Sequence, residues 1–193
     1  MSSPRRVLAI DPGRTGAAVL AIGDGSSIAR AGGAWTWRPR KHGYTLQRGC
    51  GGKVGVADLH EVACELRAAA EGIEALVVEG LFAPRRETGE AQGKHLARMA
   101  RQLTLAQSKG EVLGPLRSLT PTLYEPMARE WRAKVLRCGN KRRKVAEAYA
   151  LKVVPAHIMS DLGPLAANIH VVEAAAMAYF GLVHLRLDAQ RSP

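Results

Sequence analysis

Asp11, Glu79, His170 and Glu173 have the residue types and the settings to do metal-assisted chemistry on a phosphate ester. Asp11 ends an uninterrupted apolar run, Val7-Leu8-Ala9-Ile10, and Pro12-Gly13 follows at once. Apolar residues without polar alternation predict a strand buried on both faces. Proline, with no N–H for a ladder, and glycine then stop that strand in a turn. The pattern returns at Ala75-Leu76-Val77-Val78, which runs into Glu79-Gly80. A carboxylate at the end of a buried strand is held by rigid backbone and faces a cleft. His170 and Glu173 follow Asn168, an N-cap residue type, and their spacing of three puts them on one face of a helix's first turn. Phosphodiester hydrolysis needs an activated water and neutralised charge on the phosphate, and two divalent ions about 4 Å apart meet both needs. Carboxylate oxygens suit Mg²⁺, and histidine can either ligate a metal or move a proton. Taken singly, Asp11 reads equally well as a turn former, Glu173 as a helix-dipole partner and His170 as a surface residue. Their combination is what points to a site.

The intervening chain has to bring them together. Ala17 to Ile22 is apolar again, Gly23 to Ser27 reads as a hairpin turn, and Ile28 to Trp37 reads as a third strand with Trp35 and Trp37 on one face. Arg38 to Lys53 is basic and glycine-rich and reads as an exposed loop, with room for an edge strand. It is either a solvated loop or an arm that contacts phosphates through Arg38, Arg40 and Lys41. Asp58 to Ala70 is predicted to be a helix with Leu59, Val62, Ala63 and Leu66 inward. The order strand, helix, strand from Asp11 to Glu79 implies a right-handed crossover with the two strands parallel. Neighbouring strands would then place Asp11 and Glu79 at the same end of the sheet.

Leu81 to Glu90 is a loop carrying Phe82 and the Arg85-Arg86 pair. Ala91 to Lys109 predicts a long helix whose stripe of Leu96, Met99, Ala100 and Leu103 is either core or a dimer surface. Leu116 to Leu123 reads as a short strand, and Pro126 opens a helix through Leu136. Lys141, Arg142, Arg143 and Lys144 start another helix, where cations oppose the dipole unless a phosphate binds there. Val153 to Pro164 reads as irregular, and the last helix runs from Asn168 to about Leu185.

The whole chain of 193 residues fits one domain, and its 28 Lys and Arg against 17 Asp and Glu give a net charge of +11. That excess points to a polyanionic partner, nucleic acid first and an anionic membrane surface second. Cys50, Cys64 and Cys138 are widely spaced and odd in number, which argues against a disulfide framework or a structural zinc site. With no apolar run suited to crossing a membrane and no long apolar leader, a cytoplasmic protein is expected.

The chain resembles the RuvC-like Holliday-junction resolvases of the ribonuclease H-like superfamily. The resemblance rests on Ile10-Asp11-Pro12-Gly13 with Gly16, on Val77-Val78-Glu79, and on His170-Val-Val-Glu173 ahead of an alanine-rich helix. It implies an α/β fold with a mixed five-stranded sheet flanked by helices, all in a single nuclease domain. Asp11, Glu79, His170 and Glu173 match the family's catalytic and metal-binding positions, which implies two Mg²⁺ per site, with Mn²⁺ as a substitute. Phe82 matches an aromatic that wedges into the junction. Glu130-Trp131-Arg132, Gly139 and Arg143-Lys144 look like the family's late DNA-binding segment. A homodimer built partly on the long helix is implied, acting on branched DNA by paired nicks and leaving any helicase partner unnamed. Glu173 stands where an aspartate is usual, and Gly80 where an acidic or polar residue is frequent.

Other readings use the same residues. Asp11-Pro-Gly-Arg-Thr shares its pattern with the phosphate loop of sugar-kinase and actin-like ATPases, which need two such domains. A nuclease acting on RNA–DNA hybrids or other branched DNA would use the same acids, and a catalytically silent DNA-binding member would keep only the basic surface.

Overall fold

Alternation along the central strands decides how this molecule is layered. The computed structural model describes residues 4–24, 28–81, 84–119, 122–136 and 156–184. Strands β1 (Arg5–Asp11), β2 (Gly16–Gly23), β3 (Ile28–Pro39), β4 (Tyr44–Arg48), β5 (Lys53–Val56), β6 (Ala75–Val78) and β7 (Leu123–Tyr124) form one sheet in the order β5-β4-β3-β2-β1-β6-β7. The first five pair antiparallel with their neighbours, whereas β6 runs parallel to β1 and β7 parallel to β6. The run β3-β2-β1-β6-β7 is the mixed sheet expected for a ribonuclease H-like α/β fold. Two further strands extend it, so the sheet has seven strands rather than five.

Those extra strands lie within Arg38–Lys53 and just beyond, where a loop with room for one edge strand was expected and two strands are found. Tyr44, Leu46, Val54 and Val56 pack on one side with Trp35 and Trp37, a period-two pattern spread across two short strands.

In the centre, Leu8, Ile10, Ala18, Leu20, Leu76 and Val78 face helix α1 (Leu59–Ala69) and the end of α2 (Gln92–Leu116). Val7, Ala9, Ala17, Val19, Ala75 and Val77 face the opposite layer. Asp58 caps α1 by accepting from the Glu61 N–H at 2.9 Å, and the Glu61 carboxylate accepts in return from the Ala57 N–H at 2.8 Å. The predicted inward face of α1, Leu59, Val62, Ala63 and Leu66, is fully buried. Helix α2 continues past Lys109 to Leu116, through Pro115, because Val112, Leu113 and Leu116 are buried in the core. Its N-terminal part carries the apolar stripe outside the core, with Leu96 56% and Leu103 66% exposed. The strand expected over Leu116–Leu123 is reduced to Leu123–Tyr124.

The other layer consists of α3 (Ala128–Trp131), which runs into a π-helical turn over Arg132–Leu136, then α4 (Ala156–Asp161), a 3-10 turn (Gly163–Ala167) and α5 (Ile169–His184). Helix α4 falls in Val153–Pro164, where irregular chain was expected. Helix α5 is apolar nearly all round, as a helix enclosed on several sides must be. It lies across β1 and β2, and Gly181 meets the sheet so closely that a Cβ there would come within 2.7 Å of the Val77 side chain and 2.9 Å of Val7.

Candidate metal centre at the end of the parallel strands

The register of β1 and β6 pairs Ala9 with Val77 and Ile10 with Val78, so Asp11 and Glu79 follow side by side at one end of the sheet. Both acids share parity with residues facing α5, so both side chains leave the sheet on the α5 side. The turn after Asp11 is locked from outside. The Trp37 indole N–H donates to the Gly13 carbonyl at 2.9 Å, and a Cβ on Gly16 would lie 2.5 Å from the Trp37 ring and 2.6 Å from the Asp11 carbonyl oxygen. Asn168 caps α5 as expected, its Oδ1 accepting from the His170 N–H at 2.9 Å.

These placements bring three of the four predicted residues into one cluster. His170 Nδ1 lies 2.5 Å from Asp11 Oδ2, and one ligand atom each from Asp11, His170 and Glu173 all lie within 4.8 Å of one another. The chain's first strand and last described helix therefore converge on a single side-chain cluster. Glu79 stands beside this cluster but has other partners. Its Oε2 accepts from the Trp131 indole N–H at 3.2 Å and lies 3.8 Å from Arg132 Nη2. The same Arg132 nitrogen donates to Glu173 Oε1 at 3.2 Å. A buried carboxylate without a cation costs several kcal/mol, and Glu173 is only 5% exposed. Among the described residues, Arg132 is a cation that both glutamates share.

Burial lifts the Glu79 carboxyl above the ordinary glutamate range, and the neighbouring Asp11 charge adds to the rise. Arg132, the Trp131 indole and Lys109 pull it back only in part. Lys109 is itself buried, donates to the Glu79 backbone carbonyl at 3.0 Å and pairs with Glu125. Gly80, the other departure from the family pattern, bridges to Met127 and donates to the Pro126 carbonyl at 2.8 Å, which ties the end of β6 to the entry of α3.

Among the described residues, three carboxyl groups and an imidazole gather around the Arg132 guanidinium. Two carboxylates and an imidazole within 4.8 Å fit a divalent cation. Among the described residues, the partners of the Glu79 carboxylate all approach its Oε2, so Oε1 is the oxygen it could offer to an ion.

The residues predicted to bind DNA are distributed unevenly. Arg38, Arg40 and Lys41 are exposed at the end of β3 and beyond it. Arg86 spends its guanidinium on the Glu90 carbonyl, at 3.3 and 3.2 Å, within a loop that Arg98 also pins by donating to the Arg85 carbonyl at 2.7 Å. Arg85 is exposed. Phe82, Lys141, Arg142, Arg143 and Lys144 lie outside the described residues. Arg132 and Trp131 were grouped with a DNA-binding segment; their contact with the acids depends on the docking of α3, for which no local pattern exists. Trp37 as a clamp on the Asp11 turn was likewise missed, although a large aromatic two strands from a Pro-Gly turn was a usable signal.

No family model matches the sequence, and no curated protein matches it. Solved structures do. RuvC of T. thermophilus in complex with a Holliday junction substrate is 16% identical, with a TM-score of 0.44 over 93% of this chain and 94% of that one. A Thermus thermophilus RuvC structure is 18% identical, with a TM-score of 0.41 over 91% of this chain and 95% of that one. What ties the present chain to the fold is its own strand order and register. No helix among the described residues is long and apolar enough to cross a membrane.

Proposed function

We propose that this protein is a cytoplasmic, Mg²⁺-dependent, structure-selective DNA endonuclease that resolves four-way junctions by paired nicks, acting as a single nuclease domain. The observation that carries the reading is the convergence of Asp11, His170 and Glu173 beside Glu79 at the end of two parallel strands. The net charge of +11 supports a polyanionic substrate, and the sequence resemblance supports the junction.

In this reading Asp11, His170 and Glu173 hold one ion, and Asp11 with Glu79 holds a second. Bound ions, Mg²⁺ or Mn²⁺, would supply an activated water and charge neutralisation at the scissile phosphate. The chain's own residues do the rest. Trp37 and Asn168 fix the backbone on either side of the cluster, and His170 either ligates or takes up a proton. Arg132 balances charge until metal and phosphate arrive. Products would carry 5′-phosphate and 3′-hydroxyl ends. Homodimerisation through the exposed apolar face of α2, at Leu96 and Leu103, would set two such centres on opposing strands.

The test is cleavage of a synthetic four-way junction, a linear duplex, a flap and an RNA–DNA hybrid, with Mg²⁺ or with chelator. Nicking of the junction with Mg²⁺ alone is expected, and Asp11→Asn should lose at least about a hundredfold. Equal cutting of every substrate would refute the junction claim, and full activity in Asp11→Asn would refute the site.

A further inference from the structure

The two added strands create a surface that the catalytic cluster does not explain. Cross-strand pairs Thr36–Gln47, Arg38–Thr45 and Gln47–Lys53 put these five side chains on one face. The opposite face, with Trp35, Trp37, Leu46 and Val56, belongs to the core beneath α1. Helix α5 lies mainly on β1 and β2, and no described helix packs on the polar face of β4 and β5. There Thr15, Arg38, Thr45, Gln47, Lys53 and Asn168 line a cleft of about 160 Å³.

The chemistry of this cleft is one-sided. Its walls supply hydroxyls, the Gln47 carboxamide, an Asn168 carboxamide already bonded to Thr36 and His170, and two cations, and among the described residues no carboxylate lines it. Among the described residues no carboxylate pairs with Arg38 or Lys53, whereas Arg48 on the same strand pair is matched by Glu65. Trp37, which also lines the cleft, is fully buried, so it offers no aromatic face to stack a base. A ligand that only accepts hydrogen bonds and carries negative charge fits, and a phosphodiester is that ligand. Two of its lining residues belong to the segments that carry the metal centre. Thr15 belongs to the turn after Asp11, and Asn168 caps the helix that carries His170.

We infer that this cleft binds a backbone phosphate of the nucleic-acid strand entering the metal centre, adjacent to the phosphate that is cut. The cleft fixes the register of the strand, with Arg38 and Lys53 as charge partners and Thr15, Thr45 and Gln47 as donors. This rests on the nuclease reading for the identity of the strand, and the experiment separates the two.

Single methylphosphonate substitutions, which remove the charge of one phosphate, would be placed in turn along the junction strand around the cut. Binding would be followed by fluorescence anisotropy in Ca²⁺. In the wild type, one position other than the cut should weaken binding about tenfold. In Arg38→Ala with Lys53→Ala, that same substitution should cost nothing further, and the salt slope should fall by about two. Arg38→Gln with Lys53→Gln, which keeps both side chains long and polar, should behave alike and guards against a folding defect. A variant that keeps the wild-type sensitivity at every position, or weakens binding uniformly with no position-specific change, overturns the cleft. Absence of metal-dependent cutting in the wild type overturns the nuclease reading alone, since the anisotropy scan needs no cleavage.

Discussion

Asp11 and Glu79 emerge side by side from parallel strands, in register and on the same face of the sheet, yet they are held by different company. Asp11 meets His170 and Glu173 from α5 and, among the described residues, forms a cluster in which no arginine is bound to Asp11 itself. Glu79 meets Trp131 and Arg132 from α3 and the π-helical turn, and its charge is already answered by a guanidinium. Equivalent strand ends thus become unlike half-sites, and the difference comes from the helices laid over them. One half gathers three possible ligand atoms around Asp11, and Arg132 lies between the two, donating to Glu173 at 3.2 Å and standing 3.8 Å from Glu79.

That contrast can be broken by titration. Glu173→Gln should weaken Mn²⁺ binding about ten- to a hundredfold by calorimetry. Glu79→Gln should leave the first binding event within about threefold of wild type. Equal damage from both would mean that the halves do not differ. Arg132→Gln sharpens the same point in the opposite direction. A charge about 4 Å from a carboxylate is worth a gross ~4 kcal/mol at protein-surface dielectric, most of it offset by rearrangement. Removing it should therefore tighten metal binding about three- to tenfold, and weaker binding would recast Arg132 as a support for the ions.

The smallest effect is on stability. Because the folded protein holds the Glu79 proton to higher pH than the unfolded chain does, it binds more protons above the ordinary glutamate range. Stability from this group is therefore present at low pH and lost as pH rises through the raised pKa. In chelator, Glu79→Gln should match wild type near about pH 4 and exceed it near about pH 8 in urea denaturation. A constant offset across that range would show that Glu79 is not perturbed.

The acids at the strand ends were legible because a doubly buried strand announces itself as an apolar run, and its stopping point is marked by Pro12 or Gly80. The α5 half was legible through Asn168 and the spacing of His170 and Glu173. What escaped was decided by contacts between distant segments. β4 and β5 carry glycine and cations that weaken any strand signal, and only the apolar floor of Trp35 and Trp37 makes Tyr44 and Leu46 take sides. Gly110, Gly114 and Pro115 all argue for an end to α2, yet burial of Val112, Leu113 and Leu116 outweighs them. The ring of partners around Glu79 cannot be read locally at all, because Trp131 and Lys109 lie on separate helices.

Gly181 sits three turns along α5 from His170, far from any reacting group, where the helix backbone rests almost directly on Val7 and Val77. The absent side chain acts as a spacer that sets how high the helix floats over the sheet. Height there translates into the gap between imidazole and carboxylate at the other end, since a helix transmits tilt along its length. A bulkier residue at this remote spot would leave every proposed ligand in place in the sequence while pulling the metal cage apart.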